Sequence, residues 1–228
     1  KKYPDIKTLA FWCRKKNIYK LKKIFSSEET RLGVGLIFHI TPSNIPTNFA
    51  YSLIFGLITG NSNIVKIPSK KFEQIEIICK CINKILKKKH KQVSKMISIV
   101  RYSENDYYTK KISSICNARI IWGGDNSINS IRKFPLSHRS LDIAFADRFS
   151  LCVINSSTVL KLSPKEIDRL TERFYNDTYL VDQNACSSPH LVLWLGNQVN
   201  NARTKFWKSL REVVKQKYNL TEAASIDK

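Results

Sequence analysis

Acidic residues are scarce in this sequence: 18 Asp and Glu stand against 39 Lys and Arg, giving a formal charge of +21 in 228 residues. No apolar run approaches the ~20 residues of a membrane-crossing helix, so no transmembrane segment is expected. No secretory leader pattern is visible. Cys13, Cys79, Cys81, Cys116, Cys152 and Cys186 show no regular spacing. Both features argue against a secreted disulfide scaffold and for reduced thiols in a cytoplasmic protein. His39, His90, His138 and His190 lack metal-like spacing to any cysteine pair, so no metal site is expected. The one G-x-G, at Gly33 and Gly35, opens an apolar run instead of following one and lacks a third glycine. That excludes the usual dinucleotide fingerprint. There is no internal repeat. The first residue is Lys1 rather than Met, as expected of a piece of a longer polypeptide.

What is present suffices for a core: 43% of the residues are hydrophobic and 11% aromatic. The basic excess fits a nucleic-acid or anionic-membrane binder, or simply a lysine-rich solvated surface. It is mostly Lys, spread along the chain and not interleaved with aromatics. The second account is therefore the simpler, and no nucleic acid partner is expected. A basic surface still attracts anionic substrates.

The apolar pattern alternates between short runs and helical spacings. "VGLIFHI" (34–40), "NIVKI" (63–67), "MISIV" (96–100), "ARIIW" (118–122), "FSLCVI" (149–154) and "LVLWL" (191–195) read as strands. Between them lie helical patterns over 5–25, 47–58, 72–86, 104–116, 163–180 and 198–218. Phe72, Ile75, Cys79, Ile82 and Leu86 step by 3, 4, 3 and 4, which is an amphipathic helix. This predicts a doubly wound, mostly parallel α/β sheet. Such sheets bind ligands at the carboxyl ends of their strands, here loops 41–46, 66–70 and 123–125.

Four features could carry chemistry. Asn44, in "TPSNIP", makes a turn or presents a rigid amide to a reacting carbonyl; alone, the turn is the simpler account. Lys66 and Ser69, in "VKIPSK", are an exposed lysine and a helix-starting serine, or a phosphate or ribose site. Gly123 and Gly124 make a plain turn or admit a ligand close to the backbone. Cys186, in "VDQNACSSPH", is a reduced loop thiol or a nucleophile whose polar neighbours favour thiolate.

Taken in order, the strand, "PSN", an apolar helix, "GNSNIVKIPSK", "WGG" and "Q-x-A-C" resemble the aldehyde dehydrogenase superfamily. Within it the wording is closest to the acyl-CoA and acyl-protein thioester reductases of the bacterial bioluminescence (lux) type. The likeness runs thinly from residue 3 to the end and concentrates in 39–70 and 182–190.

The resemblance implies an aldehyde dehydrogenase-like fold on an incomplete chain. It implies an N-terminal helical segment (1–30), a cofactor-binding α/β domain (31–180) and the start of a catalytic domain (181–228). Cys186 matches the nucleophile and Asn44 the oxyanion-hole amide. Ser43, Lys66, Ser69, Gly123 and Gly124 fall at the cofactor. Ser69 stands where NAD-preferring relatives often carry a glutamate, which favours NADPH. Ala144, in "IAFADR" (143–148), stands roughly where acid-forming dehydrogenases keep a water-activating glutamate. The implied activity is NADPH-dependent reduction of an acyl-CoA or acyl-carrier thioester to the aldehyde, in an oligomer or with partner subunits. The alternatives are an aldehyde dehydrogenase forming acid, and a non-catalytic fragment or binding subunit.

Overall fold

The computed structural model describes residues 3–26, 31–103, 106–181, 183 and 185–218. They form two compact units that divide between Asp147 and Arg148.

The first unit opens with α1 (Pro4–Trp12) and α2 (Lys15–Phe25) and continues through β1 (Leu36–Ile40), α3 (Asn48–Ile58), β2 (Ser62–Lys66), α4 (Glu73–Lys89), α5 (Lys91–Ser94), β3 (Ile97–Val100), α6 (Asp106–Ile115), β4 (Ala118–Trp122), α7 (Asp125–Arg132) and β5 (Leu141–Phe145). The five strands form one sheet in the order β3-β2-β1-β4-β5, and every pairing is parallel. The doubly wound reading therefore holds, and all five carboxyl ends lie along one edge.

Alternation decides which side chains meet which helices. Val65 packs with Leu9, Phe49, Leu53, Ile75 and Ile78 of α1, α3 and α4. On the other face Phe38, Ile40 and Ile121 pack with Ile128 of α7 and with Ile112 and Ala144. Each fully buried aliphatic or aromatic side chain here contributes roughly 1.5–3 kcal/mol.

Arg119 is 1% exposed. It bonds Asp142 at 2.9 Å and donates to the carbonyls of Ile131 and Phe134, so it ties the end of α7 and the turn after it to β4 and β5. This pair explains why β5 escapes a hydropathy reading. Asp142 interrupts the apolar pattern of "LDIAF", but it is the partner of a buried arginine.

The second unit holds β6 (Ser150–Asn155), α8 (Ser156–Lys161), α9 (Pro164–Thr178), a 3-10 turn (Tyr179–Val181), β7 (Pro189–Leu195) and α10 (Val199–Lys217). β6 and β7 pair in parallel. The Glu166 carboxylate accepts from the Ser163 N–H at 2.8 Å, closing the start of α9 where Ser163-Pro164 predicted it. α8 was not expected; its Ser156-Ser157-Thr158 start reads as loop, yet Asn155 caps it by accepting from the Thr158 N–H.

The second unit has a core of its own. Ile154 of β6, Val159 of α8 and Ile167 and Tyr175 of α9 share one core with Ala202, Phe206 and Leu210 of α10. The opposite face of β6–β7 exposes Leu151, Val153, Leu191, Leu193 and Leu195.

Among the described residues no helix is long and apolar enough to cross a membrane.

Candidate active site

The carboxyl edge of the five-stranded sheet gathers six of the seven sequence-predicted residues. Ser43 and Asn44 lie on the exposed loop after β1. The start of that loop is fixed by Thr41, whose N–H and hydroxyl both reach the Lys66 carbonyl, the latter at 2.8 Å.

Lys66 is the last residue of β2, and its ammonium sits 5.1 Å from the centroid of the Tyr102 ring. Ser69 is exposed and donates to the Tyr102 carbonyl at 3.0 Å. It does not begin the next helix, as its sequence suggested. α4 starts four residues later at Glu73, and the Ser69 hydroxyl is used to join the loops after β2 and β3. The Tyr102 hydroxyl bonds Thr109 at 3.1 Å, and burial pushes its pKa up.

Gly123 donates its N–H to the Phe145 carbonyl at 3.3 Å. Gly124 is the cap of α7. A Cβ on Gly124 would lie 2.8 Å from Asp147 Oδ2. The glycine therefore allows the end of β5 to close over the helix start. With Asp125 at the first position of α7, two carboxylates stand at this helix N-terminus, which disfavours an anion there. Ala144 sits inside β5 and packs against the α7-side core.

Trp122 ends β4 and stacks on Phe145 with centroids 3.9 Å apart and planes 10° from parallel. Its indole N–H is shielded from solvent and has no hydrogen-bond partner among the described residues. Neither Trp122 nor Asp147 was singled out from the sequence. The available signal was "WGGD", an aromatic directly before the glycine pair.

A groove of about 580 Å³ runs along α4, α5 and β3, lined by Cys79, Ile82, Leu86, Lys91, Ile99 and Arg101 among others. None of the predicted site residues lines it.

Cys186 belongs to the second unit. It is exposed, on a turn closed by the Ser188 N–H to the Ala185 carbonyl at 2.9 Å. Ser150 of β6 donates its hydroxyl to the Cys186 carbonyl at 2.6 Å, and buried Ser188 donates to the Asp177 carbonyl at 2.7 Å. The turn is thus pinned to β6 and α9 on either side of the thiol. Gln183, at φ 60°, donates its N–H to the Thr178 carbonyl at 2.8 Å. Asp182 and Asn184 lie outside the described residues. Burial holds up the thiol pKa of Cys13, Cys79, Cys116 and Cys152. Cys81 is exposed on α4, away from any strand end.

The fold is that of the aldehyde dehydrogenases. NADP-complexed glyceraldehyde-3-phosphate dehydrogenase GapN from Methanocaldococcus jannaschii superposes with a TM-score of 0.62 at 15% identity, over 84% of this chain and 43% of that one. Betaine aldehyde dehydrogenase from Staphylococcus aureus, in complex with NAD+, gives 0.58 at 17% identity, over 81% and 34%.

Among curated proteins, a long-chain acyl-protein thioester reductase from Aliivibrio fischeri is 24% identical over 168 residues, 72% of this chain and 33% of that protein. Long-chain acyl-protein thioester reductase 2 from Photobacterium leiognathi is 22% identical over 169 residues, again 33% of its length. The matched segment therefore spans about a third of these relatives. The family model described as Acyl-CoA reductase (LuxC) matches residues 11–225, nearly the whole chain. This chain belongs to the acyl-CoA reductase (LuxC) family.

Proposed function

We propose that this chain carries the cofactor edge and the nucleophile of an enzyme that reduces a fatty acyl thioester, on CoA or a carrier protein, to the aldehyde. The observation that carries the reading is the Cys186 turn. It holds an exposed thiol on a backbone pinned from β6 and α9, while Cys116 is buried and Cys13, Cys79 and Cys152 are half-buried.

The Cys186 thiolate attacks the thioester carbonyl, and the adduct collapses to an acyl-cysteine as the carbonyl's C–S bond to the carrier breaks and the carrier leaves as a thiolate that is protonated by water. The Cys186 backbone N–H is a donor for the oxyanion formed on the way, and Asn44 matches the family's oxyanion-hole amide. When bound, NADPH supplies the hydride that converts the acyl group to the aldehyde level. Ala144 offers no carboxylate to activate water, which favours aldehyde over acid.

The residues at the sheet edge fit a dinucleotide. Lys66 offers a cation, Ser69 puts no charge against a 2′-phosphate, and the Gly123-Gly124 backbone leaves room for close approach. The first unit is then the cofactor domain, and the second presents the nucleophile. The thiol chemistry suits the reducing cytoplasm. The acyl carrier is the substrate partner, and the intact protein works as an oligomer or with further subunits.

Product analysis tests this. The intact protein given acyl-CoA and NADPH should release aldehyde and free CoA. Release of fatty acid alone would contradict the proposal.

A further inference from the structure

α2 differs from the other long helices of the first unit in how it packs. No side chain of its 11 residues is buried. Ile18, Leu21 and Phe25 step by 3 and 4 along it, with Ile24 beside them, so they form one stripe. An amphipathic stripe of this kind normally faces a core. Ile18, Leu21 and Phe25 are only half-buried, and Ile24 is 63% exposed. None of the four belongs to any of the three cores.

The opposite face is lysine. Basic residues are dispersed along the chain as a whole, but α2 gathers Lys15, Lys16, Lys20, Lys22 and Lys23 without one carboxylate, directly after Arg14. The nearest carboxylates in sequence are Asp5 before it and Glu28 after it. All six cations are exposed. Lys15 Nζ lies 5.6 Å from the Tyr19 ring centroid and Arg14 Cζ 4.2 Å from that of Phe11, and both rings are more than half exposed.

We propose that α2 docks on an anionic phospholipid bilayer. The helix lies in the headgroup plane, with its stripe against the acyl chains and its lysines among the phosphates. A nucleic acid would use the cations but has no place for the stripe, whereas a bilayer takes both. The inference goes beyond the thioester reading and stands or falls independently of Cys186. Where that reading holds, docking brings the enzyme to the phase in which long acyl chains collect.

The test is sedimentation of the intact protein with vesicles. One set holds equal parts phosphatidylglycerol and phosphatidylcholine, the other phosphatidylcholine alone. Binding to the anionic set should be at least ~10-fold tighter and should weaken as salt is added. Lys16→Gln with Lys20→Gln and Lys23→Gln changes exposed side chains only and should weaken that binding by more than ~10-fold. Leu21→Ser with Ile24→Ser, which touches no core, should weaken it by a similar factor of about 10. Reduction of a water-soluble short-chain acyl-CoA without vesicles reads the thioester activity separately and should be equal in all three proteins.

Failure to bind anionic vesicles would overturn the proposal. So would equal binding to both vesicle sets, or unchanged binding in either variant. Duplex DNA that displaces the vesicles, and that the Leu21→Ser, Ile24→Ser variant binds as well as wild type does, would make α2 a nucleic-acid surface and overturn it too.

Discussion

His39 Nε2 lies 2.9 Å from Asn63 Oδ1, while its Nδ1 lies 2.7 Å from Ser52 Oγ, and all three side chains are buried. Asn63 spends its amide N–H on the Asn61 carbonyl at 2.7 Å, so its oxygen faces the imidazole. Nε2 must then carry the proton, and Nδ1 accepts from the Ser52 hydroxyl. The neutral ring is fully satisfied, and a second proton would place a charge between β1, β2 and α3.

Burial accordingly lowers the His39 pKa, against the smaller upward pull of Asn63. The unfolded ring titrates near ~6.5, above the folded one. The stability it lends is complete above that pH and is lost as pH falls through the window beneath it. Urea unfolding between pH 8 and pH 5 should show this loss, and His39→Gln should flatten it. An unchanged slope in the variant would place the acid sensitivity elsewhere.

Gly56 faces the same network. A Cβ there would lie 1.9 Å from Asn63 Oδ1 and 3.2 Å from His39 Nε2. Gly56→Ala raises helix propensity in α3 yet should destabilise by about 1–3 kcal/mol, because the crowded atoms belong to a buried network. Equilibrium denaturation measures it, and a neutral or stabilising result would mean the network yields.

These two residues show where sequence reading stops. "ARIIW" is a strand in the sequence and in the fold with the same bounds, and the spacing from Phe72 to Leu86 located α4. Patterns of that kind report burial, which periodicity encodes directly. His39 looks like one polar residue in an apolar run, because Ser52 and Asn63 that satisfy it are distant in sequence. β5 was hidden for the same reason, with Asp142 paired to Arg119 across strands. The strand-end positions of Asn44, Lys66 and Gly123 were legible because strand ends follow from strand positions. The Trp122–Phe145 stack was not, since Phe145 belongs to β5, which the apolar pattern missed.

Cofactor choice should follow charge at the edge. Ser69→Glu should shift preference from NADPH toward NADH through repulsion of a 2′-phosphate. Asp147→Asn should tighten either cofactor by about 2- to 5-fold, since it removes like charge beside Gly124 at a helix N-terminus. Competitive titration of both cofactors measures the two effects. A wild-type preference for NADH, or weaker binding by Asp147→Asn, would count against these assignments.

The uncovered face of β6–β7 should make the 228-residue chain self-associate when studied by itself. Leu151, Val153, Leu191, Leu193 and Leu195 are each 41% to 57% exposed on neighbouring parallel strands. Covering one such side chain contributes up to roughly 1.5–3 kcal/mol. Leu151→Ser with Leu193→Ser should lower the mass seen by sedimentation without unfolding the α8–α10 core. A monodisperse wild-type monomer would contradict this.

The nucleophile can be read covalently. Given acyl-CoA without NADPH, the intact protein should trap the acyl group on Cys186, found by mass spectrometry of its peptides. Cys186→Ser should abolish the label, because a serine hydroxyl is far less ionised at neutral pH. Cys81→Ser, at the other exposed thiol, should keep it. Asn44→Ala should leave Cys186 open to alkylation while slowing acylation by ~10²–10³, the usual cost of one oxyanion donor. A label on any other cysteine, or a Cys186→Ser variant that still reduces thioesters at a near-normal rate, would contradict the account.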